Sequence, residues 1–164
     1  MTIKEVYEYL ESIKKIDCIL ENKVLEKEEL YALATRTTQV LSDMPRGFSQ
    51  SDKMANLTCE MVEIDNEIAE TIKLLLNFKK EVISNLQKIT NVYQYETLYL
   101  LYIENKTVTE VAECIGAKKG IDMVTPQWIQ MLKKRGAENL SSFLTKTENY
   151  EKILKITTPF YKYC

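Results

Sequence analysis

Apolar side chains recur every three or four residues along most of this chain, the spacing of a helix face rather than a strand. Ile3, Val6, Leu10, Ile13, Leu20, Val24, Tyr31 and Ala34 hold the alternating register of a coiled-coil seam. Asp17 and Lys27 interrupt that seam, and Ile16 and Leu30 beside them keep an apolar side. Thr2 followed by Glu5 has capping-box spacing, so a first helix is predicted from about residue 3 to about residue 36. Proline, glycine and small polar residues then cluster in Ser42-Asp43-Met44-Pro45-Arg46-Gly47, which predicts a loop over Thr37–Ser51. A second helix is predicted from about residue 52 to about residue 89. In it Met61, Ile68, Leu75, Val82 and Ile89 repeat every seven residues, and Leu57, Ile64, Thr71 and Phe78 supply the second seam position.

Two long helices with a short connection predict an antiparallel hairpin. The apolar stripe of the second helix is wide at Leu74-Leu75-Leu76, so it contacts more than one neighbour. The pattern fits a self-contained hairpin and also a homodimer, and it favours the dimer. The dimer seam would be Met61, Ile64, Ile68, Leu75, Phe78 and Val82.

Shorter elements follow. Asn91 restarts a helix carrying Tyr95, Leu98, Leu101, Tyr102 and Ile103, and Glu104-Asn105-Lys106 ends it. Thr107-Val108-Thr109-Glu110 repeats the capping-box spacing, with Val108, Val111, Ala112 and Ile115 behind it. Gly116 is expected to stop that helix, because glycine accepts the left-handed conformation of a C-terminal turn. Thr125-Pro126 opens another helix, a capping threonine with proline at the first helical position. Trp128, Ile129, Leu132 and Leu140 give it a buried side. Gln127, Gln130, Met131 and Lys134 lie on the opposite side, flanked by Lys133 and Arg135. Two short helices, the second polar and basic outside, form either part of an ordinary bundle or a helix-turn-helix that reads DNA. The glutamines and lysines favour DNA, since glutamine pairs with adenine edges and Lys or Arg with guanine or phosphate. A last helix is predicted from Thr147-Glu148 through Ile153, Leu154 and Ile156 to Pro159, with an aromatic tail of Phe160, Tyr161 and Tyr163.

The segment Tyr93–Leu140 resembles region four of the sigma factors, the helix-turn-helix that reads promoter DNA. It is most similar to small phage and prophage proteins with a sigma-like C-terminus, related to late-transcription regulators of the ArpU kind. Four pieces carry the likeness. They are Tyr99-Leu100-Leu101-Tyr102-Ile103, Thr109-Glu110-Val111-Ala112, Gly116, and Thr125-Pro126-Gln127-Trp128-Ile129 through Arg135-Gly136-Ala137. The N-terminal half, a helix, a loop and a long helix, is similar to that group as well. The resemblance implies a sequence-specific DNA-binding transcriptional regulator whose recognition helix starts at Pro126. The DNA contacts would come from Thr107, Lys118, Lys119, Thr125, Gln127, Gln130, Met131, Lys133, Lys134 and Arg135. One departure stands out. The resemblance implies a turn of about three residues, whereas Ala117–Val124 separates Gly116 from Thr125 here. Lys118 and Lys119 in that loop are expected to touch phosphate.

Composition narrows the picture without deciding it. The chain has 164 residues with four glycines and three prolines, which predicts an all-α protein. It is expected to divide into an oligomerising hairpin, 1–90, and a DNA-binding region, 91–164. The net charge is −2, but residues from Asn91 onward carry ten Lys/Arg against eight Asp/Glu, which leaves the N-terminal part acidic. The four cysteines, Cys18, Cys59, Cys114 and Cys164, lack Cys-x-x-Cys spacing and there is no histidine, so neither a zinc site nor another cofactor is expected. Cys18, Cys59 and Cys114 read as small, partly buried residues. Glu60, Glu63, Asp65, Glu67 and Glu70 read as a solvated helix face rather than acid–base machinery, and no enzyme is expected. No apolar run approaches the ~18 residues of a membrane span. Met1–Glu5 runs directly into a charged helix, as in a cytoplasmic protein of a bacterial host. Double-stranded DNA is the expected partner, with RNA polymerase as a second contact. The competing reading is a phage-encoded protein-binding module that inhibits or recruits a host protein.

Overall fold

The computed structural model describes residues 1–39, 50–122 and 124–157, with the side chains of 36–39 and 50–54 left aside. All regular structure among the described residues is helical. In chain order the helices are α1 (Ile3–Gln39), α2 (Gln50–Leu86), α3 (Val92–Tyr102), α4 (Val108–Lys119), α5 (Pro126–Phe143) and α6 (Glu148–Thr157). The all-α class read from spacing and composition is therefore observed. The loop expected at Ser42–Gly47, the stop at Pro159, the aromatic tail and Cys164 lie outside the described residues. None of the described helices is long and apolar enough to cross a membrane.

The chain divides into two compact units, Met1–Ile16 with Leu74–Cys164, and Asp17–Lys73. The division does not fall at residue 90, because the start of α1 and the end of α2 share a core with the later helices. Tyr9 of α1 meets Phe78 of α2 and Tyr150 of α6 edge-on there, with ring centroids 5.0 Å (Tyr9–Phe78) and 5.1 Å (Tyr9–Tyr150) apart. The Tyr9 hydroxyl donates to Glu81 at 3.1 Å and accepts from the Asn85 amide at 3.3 Å. Burial pushes the Tyr9 phenol above its ordinary pKa. Glu81 also accepts from the Thr147 hydroxyl at 2.6 Å and the Asn149 amide at 2.9 Å, so one carboxylate ties three elements together.

This core changes the reading of the second helix. Leu75, Phe78 and Val82, expected on a dimer seam, are buried within the single chain. Their apolar surface is taken up by the chain's own core, so it is not left over for a second copy. Met61, Ile64 and Ile68 stay half-buried. They belong to the unit Asp17–Lys73, where Lys23 pairs with Glu67, and Lys27 with Asp65 at 2.5 Å. Rising numbers on α1 meet falling numbers on α2, so the two segments run in opposite directions in this unit. Two helices bury only one face each, which leaves Val24, Leu25, Tyr31, Leu33 and Val62 exposed. For the same reason Cys18 and Cys59 are exposed rather than partly buried, whereas Cys114 is intermediate.

In the larger unit α3, α4 and α5 pack on one another. Asn91 caps α3 by accepting from the N–H groups of Tyr93 and Gln94. A Cβ on Gly136 of α5 would lie 2.8 Å from Leu98 Cδ1 of α3, so the missing side chain permits a close approach. The amide of Asn139 donates to the buried Gln94 at 2.6 Å across the same contact.

The end of α4 departs from expectation. Gly116 does not stop the helix; it is buried inside it, and α4 continues through Ala117, Lys118 and Lys119 to Gly120. Alanine and lysine are good helix formers, and the left-handed residue that ends the helix is Gly120, with φ 72°. Ile121 N–H then donates back to the Gly116 carbonyl at 3.1 Å. Only 121–124 separate Gly120 from the cap at Thr125, which brings the turn near helix-turn-helix length. Buried Val124 anchors it, donating to the Ala112 carbonyl at 3.3 Å. No atom lies within 4 Å of a Cβ built on Gly120. Gly120→Ala should therefore lose about 1–2 kcal/mol through backbone strain alone, and Gly120→Asn less. Thermal unfolding of both variants checks this; equal melting temperatures for Gly120→Ala and the unmodified chain would show that the turn carries no strain.

Candidate nucleic-acid interface

Thr107 caps α4 through a complete capping box: the Glu110 carboxylate accepts from the Thr107 N–H at 2.7 Å and its hydroxyl at 2.8 Å. The Thr107 N–H, followed by its hydroxyl, holds the Glu110 carboxyl below the usual range. Thr107 is exposed, but its donors face Glu110. At α5 the Thr125 hydroxyl accepts from the Trp128 N–H at 3.4 Å, and Pro126 takes the first helical position. The two caps fix where each helix begins, and hence which side chains lie on its first turns.

Along α5, Ile129, Leu132, Ala137 and Leu140 are buried, and Gln127, Gln130, Met131, Lys134 and Arg135 are exposed. The four residues expected to face bases thus lie clear of the core on one helix. Lys133 lies elsewhere: its ammonium stands 5.2 Å from the Tyr7 ring centroid and 5.5 Å from that of Tyr102. Lys118 pairs with Glu96 of α3. Lys119 stands over Trp128 at 3.9 Å and Tyr93 at 4.6 Å from the ring centroids. Tyr93 and Trp128 themselves meet edge-on at 5.8 Å. Both loop lysines are thus helical and have partners within the chain. Trp128, expected on the buried side of α5, is only half-buried.

Sequence reasoning missed the Lys119–Trp128–Tyr93 stack. A lysine nine residues before the tryptophan is a detectable signal only once the turn between them is known to be short. It also missed a groove of about 430 Å3 lined by Glu11, Lys14 and Lys15 of α1, Leu101 and Tyr102 of α3, Lys106, Thr107 and Val108 at the start of α4, and Lys133 of α5. Nothing in the local sequence around Lys14 marks it, because its neighbours come from elements far along the chain. Among the described residues no group of three or more His, Cys, Asp or Glu side chains could hold a metal ion. The chain matches no family model, no curated protein and no solved structure.

Proposed function

We propose that this chain is a sequence-specific, double-stranded-DNA-binding transcriptional regulator of phage or prophage type, with α4 and α5 as a sigma-like helix-turn-helix and α5 as the reading helix. The observation that carries this reading is the α4–α5 pair. Both helices are capped at their starts, the turn between Gly120 and Thr125 is four residues long (121–124), and α5 keeps Gln127, Gln130, Met131 and Lys134 exposed opposite its buried side. Glutamines in the first turns of a groove-binding helix supply both a donor and an acceptor to a base edge. The phage or prophage origin rests on the resemblance of Tyr93–Leu140 alone.

The competing role, a module that binds a host protein, draws on the partners of Lys118 and Lys119, which reduce the free positive charge beside α5. Salt separates the two. A DNA reader loses affinity for duplex steeply as salt rises, because neutralised phosphates release counterions. Duplex retention that is absent at low salt would favour the protein-binding role.

A homodimer through the unit Asp17–Lys73 completes the proposal, with Met61, Ile64 and Ile68 at its seam. The exposed Val24, Leu25 and Val62 beside them support it, since apolar surface of this kind gains by being covered. Sedimentation at roughly tens of micromolar protein should give a dimer. The variant Ile64→Asp with Ile68→Asp should give a folded monomer, because buried unpaired charge is costly. A monomeric unmodified chain would contradict this part.

A further inference from the structure

We propose that the groove between α1, α3 and the start of α4 is a phosphoryl-binding site, formed by Lys14, Lys133 and Lys106 around Tyr102. The inference stands independently of whether α5 reads bases. Lys14 and Lys133 approach the same ring, each 5.5 Å from the Tyr102 centroid. Neither has a carboxylate partner among the described residues, whereas Lys106 is held by Glu104 at 2.9 Å. The groove is lined by four lysines, Lys14, Lys15, Lys106 and Lys133, against one carboxylate, Glu11, so its charge balance favours an anion.

Tyr102 supplies the second, independent sign. The residue is 3% exposed, and its hydroxyl is buried with no hydrogen-bond partner. Buried hydroxyls are normally paired, so the unpaired hydroxyl of a residue that lines the groove is a donor still lacking an acceptor. The ammonium groups of Lys14 and Lys133 are donors only and the Tyr102 hydroxyl can donate, which fits an acceptor-only ligand. Donors on three different helices, α1, α3 and α5, suit a tetrahedral phosphoryl group, whose oxygens point apart, better than a planar carboxylate. Helix α4 lends the anion little, because the donors of its cap face Glu110. The groove, about 430 Å3, has room for more than one phosphoryl group. The phosphate comes either from a nucleic-acid backbone or from a free phosphorylated small molecule.

The test uses the full chain and inorganic pyrophosphate. Pyrophosphate should raise the melting temperature above that in sodium chloride of equal ionic strength, and calorimetry should show one site. Lys14→Gln should weaken pyrophosphate binding by about tenfold, with exposed Lys155→Gln on α6 as the unaffected control. Tyr102→Phe should melt no lower than the unmodified chain without ligand, yet gain less from pyrophosphate. No stabilisation beyond chloride, or equal binding by Lys14→Gln, would overturn the proposal. A short duplex of arbitrary sequence then assigns the source. Displacement of the duplex by pyrophosphate identifies backbone phosphate, and simultaneous binding identifies a free phosphorylated molecule. Failure of the duplex alone would count against the DNA reading and leave the phosphoryl site standing. Failure of pyrophosphate alone would do the reverse.

Discussion

Replacing Phe78 with alanine should destabilise the chain by about 3–5 kcal/mol, the cost of deleting a fully buried aromatic ring. That is a large share of the roughly 5–15 kcal/mol that holds a typical domain. The ring is completely buried and touches Tyr9 edge-on at 5.0 Å, with Tyr150 stacked at 6.4 Å. Its loss opens a cavity where α1, α2 and α6 meet, and the polar network around Glu81 lies beside that cavity. Leu76→Ala is the internal comparison. Leu76 lies two residues earlier on the same helix and is 53% exposed, so its change should stay within about 0.5 kcal/mol. Urea unfolding of both variants measures the difference. The effect should not depend on protein concentration, because Phe78 serves the chain's own core. A concentration-dependent midpoint for Phe78→Ala would return this residue to a subunit interface.

That contrast shows what the sequence could and could not convey. Periodicity located the helices well, because a face of Val, Leu and Ile at three-and-four spacing has few other ways to be buried. Capping chemistry placed three starts, at Thr2, Thr107 and Thr125, since each cap is a local bond between near neighbours. Heptads could not say which surface covers Leu75, Phe78 and Val82; a fold-back within the chain and a second copy demand the same apolar residues. Gly116 and Gly120 are both four residues or fewer from the end of α4, and the sequence offers two glycines for one left-handed position. Packing decides between them: Gly116 is buried and Gly120 is free to turn. The groove at Tyr102 was out of reach because Lys14 and Lys133 come together only through the tertiary fold.

Gln127→Ala with Gln130→Ala should erase most of the preference for a specific operator while leaving the fold and nonspecific affinity nearly unchanged. Each good bidentate contact discriminates by about 1–3 kcal/mol, so the pair together is expected to cost roughly one to four orders of magnitude in specificity. Both side chains are exposed on α5 and make no contact that the fold needs, so the melting temperature should stay within about 2 °C. Trp128→Ala should behave differently. It removes the ring under Lys119 and beside Tyr93, and so should lower the melting temperature, with DNA binding lost only as a consequence. A double glutamine variant that kept the full preference would move base reading away from α5.

The most direct measurement of the central claim is selection of duplexes by the purified chain from a random pool at one fixed salt concentration, followed by sequencing. The account predicts enrichment of a defined sequence, bound more tightly than its scrambled counterpart and no longer enriched by the Gln127→Ala, Gln130→Ala variant. Retention of duplexes with no sequence in common, or of none at all, would contradict it.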